Sequence, residues 1–402
     1  MFIHADLHVH IGKSSSGRAV KITAAHDLTF ENIALECADR KGIGLVGVVD
    51  CASPPVIADI DALVDSGEMV PLPGGGLRYR DQVTVILGAE FETHEPQGGM
   101  SHHVSYFPDL ACLKDFSETI GHYVTNRELS SQACGLPARI LYRLCADCGG
   151  TFVPAHCFTP HKSVYGSASR RAAELFGDAW DKISAIELGL SADSDLADHI
   201  TELSDRTFLT NSDAHSLPRI GREYNLLEVE AGTFDELLRA LRREGGRRVL
   251  ANFGLDPRLG KYHRTFCEDC QWIARGAPPA MQCEQCGSRH VTKGVLDRIL
   301  EIADTPEPQR PEHRPHYQYQ VPLQFVPGVG SVTYNRLINR FGSEMAVLHD
   351  AEEREIGETV GSRVAALIVQ ARQGTLPLQA GGGGRYGKAV PNEKGSIRLP
   401  GL

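Results

Sequence analysis

Histidine and carboxylate residues stand at the ends of successive short apolar runs, and this recurrence restricts the fold more than any other feature of the chain. Asp6-Leu7-His8-Val9-His10 closes the first run, Val48-Val49-Asp50 the second and Leu87-Gly88-Ala89-Glu90 the third. His102 and His103 open the run His103–Phe107, His156 ends Thr151–His156, and Asp213 and His215 follow Thr207–Asn211. In extended chain, side chains two apart face the same way, so His8 and His10 can converge on one ion, as can Asp213 and His215. One histidine at a strand end is ordinarily a hydrogen-bonded structural residue. Ligand-type residues at five strand ends instead require a fold that gathers strand termini on one side, where α/β folds assemble their active sites.

The rest of the pattern agrees. Up to residue 250, strands are expected at Phe2–His8, Gly44–Asp50, Val83–Glu90, His103–Phe107, Thr151–His156, Ala185–Gly189 and Thr207–Asn211. Amphipathic stretches at Phe30–Lys41, Val56–Asp65, Ala138–Cys148 and Phe234–Arg243 predict helices between them. This alternation implies an α/β fold with a largely parallel sheet, open or closed into a barrel. Residues 251–303 depart from it and form a small cysteine-bearing module. Residues 304–321, with Pro306, Pro308, Pro311 and Pro315, read as an extended linker, and 322–402 as a helical domain whose end, from Gly381, is a flexible tail.

Charge and cysteine usage narrow the function. The net charge of −10 argues against non-specific nucleic-acid binding by the whole surface. A basic stretch from Arg239 to Arg264 is the exception, and reads equally well as a solvated face or as a surface for a polyanion. No run approaches the ~18–20 apolar residues of a membrane span, and the N-terminus lacks the form of a signal peptide, so a cytoplasmic, nucleoid-associated protein is expected. Eleven cysteines in 402 residues do not suggest a secreted disulfide scaffold. Cys145 and Cys148 form a lone CxxC, expected to be incidental thiols.

Imidazoles and carboxylates without thiolate form a hard-to-borderline donor set that suits zinc, manganese or iron. The metal-ligating candidates are His8, His10, Asp50, Glu90, His103, His156, Asp213 and His215, with Glu90 as a bridge. Clustered divalent ions favour phosphoester hydrolysis: one activates water while another neutralises phosphate charge. Glu90 and Asp213 are the expected catalytic carboxylates.

These residues resemble the PHP (polymerase and histidinol phosphatase) superfamily, whose pattern is HxH, a strand-end Asp, a strand-end Glu, a His-led strand, a lone strand-end His and a final DxH. The matching positions are His8 and His10, Asp50, Glu90, His103, His156, then Asp213 and His215; His103 is preferred to His102 because a strand follows it. Cys51 stands where the superfamily often has a histidine after the Asp, which leaves that coordination slot open. The resemblance implies a distorted (β/α)7 barrel with two or three metal ions. Longer blocks, DLHVHIGKSSSGRAVKIT from Asp6, VPAHCFTPHKSVYG from Val153, NSDAHSLPRIGREYN from Asn211 and NRFGSEMAVL from Asn339, are similar to the endonuclease Q family. That resemblance implies cleavage of DNA on the 5′ side of uracil, hypoxanthine, xanthine and abasic sites, with the damaged nucleotide flipped out of the stack.

Cys267-x-x-Cys270 and Cys283-x-x-Cys286 have zinc-ribbon spacing, and four thiolates make a closed, structural zinc site. Pro327-Gly328-Val329-Gly330 before an apolar-periodic helix resembles a helix-hairpin-helix, in which backbone amides approach a phosphate. Candidate DNA contacts are Lys13, Arg18, Lys21, Arg219, Arg222, Arg258, Lys261, Arg264, Gly328 and Gly330, and the aromatic rings of Phe158 and Tyr165 are candidates to stack on a base. Two rivals stand beside the nuclease: a small-molecule phosphatase of the histidinol phosphate type, which would need neither ribbon nor hairpin, and a non-catalytic metal-containing DNA-binding protein.

Overall fold

The computed structural model describes residues 1–390; the part of the expected tail at 391–402 lies outside the described residues. Strands up to Gly254 are β1 (Phe2–Val9), β2 (Leu45–Val48), β3 (Met69–Pro71), β4 (Leu77–Tyr79), β5 (Val83–His94), β6 (Met100–Phe107), β7 (Thr151–Pro154), β8 (Ala185–Glu187), β9 (Thr207–Leu209), β10 (Tyr224–Glu228) and β11 (Arg248–Gly254). Later come β12 (Phe266–Cys267), β13 (Val291–Thr292), β14 (Tyr317–Tyr319), β15 (Leu378–Gln379) and β16 (Lys388–Ala389). Each strand expected from the sequence is present within a few residues, as are the four helices, at Phe30–Glu36, Pro54–Asp65, Ala138–Asp147 and Phe234–Arg242.

The main sheet has the order β14-β11-β10-β1-β2-β5-β4-β3, with β6 on β5 and β7 on β6. It is mixed rather than largely parallel. β1–β2, β2–β5 and β11–β14 are parallel, whereas β1–β10, β10–β11, β3–β4, β4–β5, β5–β6 and β6–β7 are antiparallel. Short connections account for three of the antiparallel pairs, β3–β4, β4–β5 and β5–β6, since a tight turn can only reverse the chain. Gly75 and Gly76 turn β3 into β4, and Gly98 and Gly99 turn β5 into β6, all with positive φ. β8 and β9 form a separate parallel pair, so hydrogen-bonded ladders do not close a continuous barrel among the described residues.

Two apolar layers enclose this sheet. In β1, Ile3, Ala5 and Leu7 join one of them, while alternation turns Asp6 and His8 to the opposite face. Thr29 and Thr233 accept backbone amides at the starts of the helices Phe30–Glu36 and Phe234–Arg242, which fixes where each begins.

The ribbon strands β12 and β13 pair antiparallel, and the helix Val295–Ile302 that follows buries Val295, Ile299 and Ile302 in the main core. The stretch expected to be a linker is extended but docked. Arg314 donates to the carbonyls of Arg206 and Leu203, pairs with Asp198 at 2.8 Å and stacks on Phe208, after which β14 joins the sheet. Helices Ser331–Phe341, Glu344–His349, Glu353–Val360 and Ser362–Arg372 surround a third apolar cluster that includes Leu337, Ile356 and Ile368. A fully buried ion pair, Lys41 Nζ to Glu344 Oε2 at 2.6 Å, joins these helices to the sheet domain. The expected tail is ordered as far as it is described: β15 and β16 pair, and the loop between them lies against residues 258–261, with Gly381 N donating to Arg258 O and Gly387 N to Leu259 O. Among the described residues no helix is long and apolar enough to cross a membrane.

Candidate metal centre and its surroundings

The end of β1, the interior of β5, the start of β6 and the turns after β7 and β9 bring two groups of donors together. His8, His10 and Asp213 form one, and Glu90, His102 and His156 the other, each with donor atoms within 4.8 Å of one another. Glu90 lies between them: Oε1 is 3.0 Å from His102 Nδ1, 3.5 Å from His8 Nε2 and 3.6 Å from His156 Nε2, and Oε2 is 3.7 Å from His10 Nε2. Asp213 Oδ1 lies 3.2 Å from His10 Nε2 and 3.7 Å from His8 Nε2. The His215 ring sits 4.5 Å from that of His10, and its Nδ1 donates to the carbonyl of Asp213. Asp213 and His156 both hold left-handed backbone, at φ 46° and 30°. Non-glycine residues adopt that region at a cost of about 1 kcal/mol or more, and such strain collects at functional sites.

Carboxylates outside the two groups orient the histidines. Asp50 accepts from His10 Nδ1 at 3.0 Å and from Ile11 N, which turns His10 Nε2 inward. Glu187 Oε2 does the same for His8 through Nδ1 at 2.9 Å. Glu92 contacts His102 Nε2 at 3.3 Å and Lys162 at 2.7 Å. Partners of this kind fix tautomer and ring direction at metal sites. Asp50 therefore stands behind His10 rather than in either donor group. The Cys51 thiol points away, donating to Val48 O, and burial pushes its pKa up.

His102, not the preferred His103, enters the centre. His103 is buried between Phe152 and Phe176, and its Nε2 bonds Ser101 and Thr93. The hairpin register explains the exchange: His102 faces Glu92 across the ladder and His103 faces Phe91, so the two histidines lie on opposite faces. Glu187, Glu92 and His102 are the residues that reading strand ends did not select.

Electrostatics suit a cation. Burial would raise the Glu90 and Asp213 carboxyls, but the charges of His102 and Lys21 around Glu90, and the hydrogen bond from His10 and charge of His8 at Asp213, hold both well below the usual range. Burial opposes a proton on His8, yet Glu187, Glu90 and Asp213 raise its pKa well above normal. The carboxylates thus demand positive charge. His8 Nε2, facing Glu90 and Asp213, is fully buried and has no hydrogen-bond partner, so a divalent ion could take the place of the proton that these carboxylates favour there. Donor chemistry and geometry both fit such ions. The ribbon cysteines fit zinc: all four Sγ atoms lie within 4.8 Å, with Cys267–Cys286 at 3.7 Å and Cys270–Cys283 at 3.5 Å. Tetrahedral thiolates at about 2.3 Å from zinc would lie about 3.8 Å apart.

Several residues offered as DNA contacts are used inside the protein. Lys21 reaches Glu90 Oε2 at 3.2 Å and Ser131. Arg222 is buried, with Nε to Ser212 O at 2.7 Å and Nη2 to Asp213 O at 3.3 Å. Arg258 forks onto Asp256, and Arg264 pairs with Asp297. Arg18 makes an exposed pair with Glu128. Arg219, Gly328 and Gly330 are exposed and Lys13 and Lys261 half-buried. In the basic stretch, Arg239 and Arg247 pair with Glu236, and Arg248 with Glu228, so acids within the fold answer much of its charge. Phe158 and Tyr165 stack on each other, fully buried. Beside the centre opens a cavity of about 170 Å³ bordered by His156, Asp213, Asn211, Lys261, Tyr262 and Tyr386.

An α/β scaffold with paired histidine–carboxylate donor groups at its strand ends is that of the PHP superfamily, and the protein is a metal-dependent hydrolase of that class. A PHP-associated family model matches residues 195–244. The chain is 48% identical to the uncharacterized protein YqxK of Bacillus subtilis over 391 residues, covering 97% of this chain and 99% of that one. It superposes on the crystal structure of the lesion-specific endonuclease PfuEndoQ from Pyrococcus furiosus with a TM-score of 0.82 at 35% identity, covering 98% of this chain and 96% of that one. The same score and identity hold, over 99% of both chains, for an Endonuclease Q complex with a 27-mer duplex substrate carrying an abasic lesion at the active site. The chain belongs to the endonuclease Q family.

Proposed function

We propose that the protein is a DNA-repair endonuclease that hydrolyses the phosphodiester 5′ to deaminated bases (uracil, hypoxanthine, xanthine) and abasic sites. The observation that carries this reading is the whole-length similarity to an endonuclease Q bound to lesion-bearing duplex DNA, joined to a cavity that opens directly beside the donor groups.

Two or three ions, zinc, manganese or iron, would be held by His8, His10, Asp213, Glu90, His102 and His156, with His215 adjoining. Bound there, they supply an activated water and neutralise charge on the phosphate. The chain does the rest. Asp50 and Glu187 keep the Nε2 atoms of His10 and His8 turned inward. Lys21 is held protonated: burial opposes its charge, but Glu90, Asp50 and Asp213 overcome this, so it acts as a fixed cation rather than a base. The extruded base enters the cavity by His156 and Asp213, which brings a phosphodiester flanking it to the donor groups. Deamination replaces an exocyclic amino group by a carbonyl, so donors lining the cavity favour the damaged base, and mispairing lowers the cost of flipping by part of a few kcal/mol. Lys13, Arg219 and Lys261, with the backbone at Gly328 and Gly330 before the helix Ser331–Phe341, grip phosphates without reading sequence. Cys267, Cys270, Cys283 and Cys286 hold a structural zinc.

End-labelled duplexes carrying uracil, hypoxanthine, an abasic analogue or no lesion, incubated with and without chelator, test the reading. A nick 5′ to each lesion, absent with chelator and absent from the undamaged duplex, is expected. Equal cutting of undamaged DNA, or release of phosphate from histidinol phosphate with no nicking, would overturn it.

A further inference from the structure

We infer that Tyr386, carried by the C-terminal hairpin loop, is the stacking surface for the extruded base and so a specificity-determining residue; this rests on the lesion-endonuclease reading above. The ring borders two cavities: the one beside the donor groups, and a second of about 220 Å³ with apolar walls, Leu255, Leu259, Val321 and Phe325, and a rim that includes Arg219 and Arg222. It is 38% exposed, so its burial in the fold does not account for it. Glycine-rich loops seldom hold a side chain in place, but this one is fixed from both ends. β15 pairs with β16, Gly381 N and Gly387 N donate to the carbonyls of Arg258 and Leu259, and Gly384 N to that of Lys261.

Two cations lie near the ring, which keeps 38% of its surface open. Lys261 Nζ lies 4.6 Å from its centroid and Arg222 Cζ 5.7 Å. Such contacts hold an aromatic ring by its quadrupole without covering it as an apolar neighbour would. A held, partly open aromatic ring at the mouth of a cavity beside a phosphodiester-hydrolysing centre suits a planar heterocycle, and Lys261 lies close enough to the ring to meet the attached phosphate. Stacking requires only a π face, so one tyrosine serves uracil, hypoxanthine and xanthine alike. An abasic site offers no such face.

This difference supplies the test. Cleavage of uracil, hypoxanthine and abasic duplexes is measured under single-turnover conditions for the wild type, Tyr386→Phe, Tyr386→Leu and Tyr386→Ala. Loss of one base stack lowers the rate on the two base-bearing lesions ~5- to 100-fold in the Leu and Ala variants, leaves the abasic rate unchanged, and is repaired by Phe, which keeps the ring. The Leu variant preserves bulk, so its result stands if the Ala variant is unstable. Equal loss on all three substrates would overturn the inference, because the ring would then only prop Arg222 against the Asp213 loop. Unchanged rates on all three would overturn it as well. A wild type that cuts none of the three overturns the nuclease reading itself, a failure distinguishable from either of these.

Discussion

The donor groups of the sheet domain and the cysteine quartet of the ribbon both suit metal ions, yet they stand on opposite footing. The sheet domain places its donors in a sheet already enclosed by two apolar layers, and His8 and His10 each have a carboxylate behind them. No residue between 263 and 294 belongs to an apolar cluster among the described residues, and Cys270 and Cys286 are exposed. In the first region the fold makes the site. In the second a bound metal would make the fold, because so short a module buries little apolar surface of its own.

Several outcomes can break or sharpen this contrast. The largest effect is expected from Asp213→Ala, which removes an ionised donor from the centre: nicking falls to background while circular dichroism and the unfolding transition stay close to wild type. A surviving rate would mean that the donor groups are not the reaction centre. Next comes Cys283→Ser or exhaustive chelation. The ribbon should open to proteases between residues 264 and 292, as mass spectrometry of the fragments would show, while the sheet domain stays resistant. A ribbon that remains protected without metal would erase the contrast.

Smaller effects separate orienting residues from bystanders. Glu187→Gln should weaken metal retention or activity ~10- to 100-fold, as read by metal titration. His103→Gln, on the opposite face of β6 from His102, should cost about 1 kcal/mol of stability and leave metal affinity alone. The smallest concerns pH. His4 stacks on His349 at 4.8 Å beside Tyr224, and burial, followed by the His349 charge, pushes the His4 pKa down to about 4. The unfolded chain takes up a proton near pH 6.5 and the folded one only near 4, so this stability is complete above about pH 6.5 and drains away as the pH falls towards 4. Urea midpoints should therefore drop over that window, and His4→Phe should flatten the drop. An unchanged slope in the variant would show that the stack carries no linkage.

Much of the centre was legible because strand alternation is local. His8 and His10, Glu90, His156, and Asp213 with His215 all follow from where apolar runs end. What was not legible depends on pairing. His102 and His103 are neighbours in sequence, and only the register of β6 on β5, one residue either way, decides which faces Glu90. Asp50 and Glu187 illustrate a second limit. A carboxylate at a strand end looks the same in sequence whether it meets an ion or the far nitrogen of a histidine, and only the third dimension separates them. A third limit concerns the basic residues: that Arg222 is met by the carbonyl of Ser212 and Arg264 by the carboxylate of Asp297 shows only in the folded chain. The mixed sheet was missed because β3 and β4 are short and enter through turns that reverse direction, while β10 and β11 pair antiparallel without a tight turn to signal it.

The buried pair of Lys41 and Glu344 bears on how such a chain can be cut and recombined. Glu344 also accepts from Leu323 N and Tyr334, while Lys41 reaches the carbonyl of Pro218, in the loop that follows Asp213 and His215. A substitution that removed the Glu344 carboxylate with the helices in place would strand an ammonium in apolar surroundings, a penalty of about 3–5 kcal/mol for a broken buried pair. A recombined chain that paired this sheet domain with helices lacking that carboxylate would carry the same penalty unless residue 41 changed with it, and among relatives the two positions should drift together or not at all.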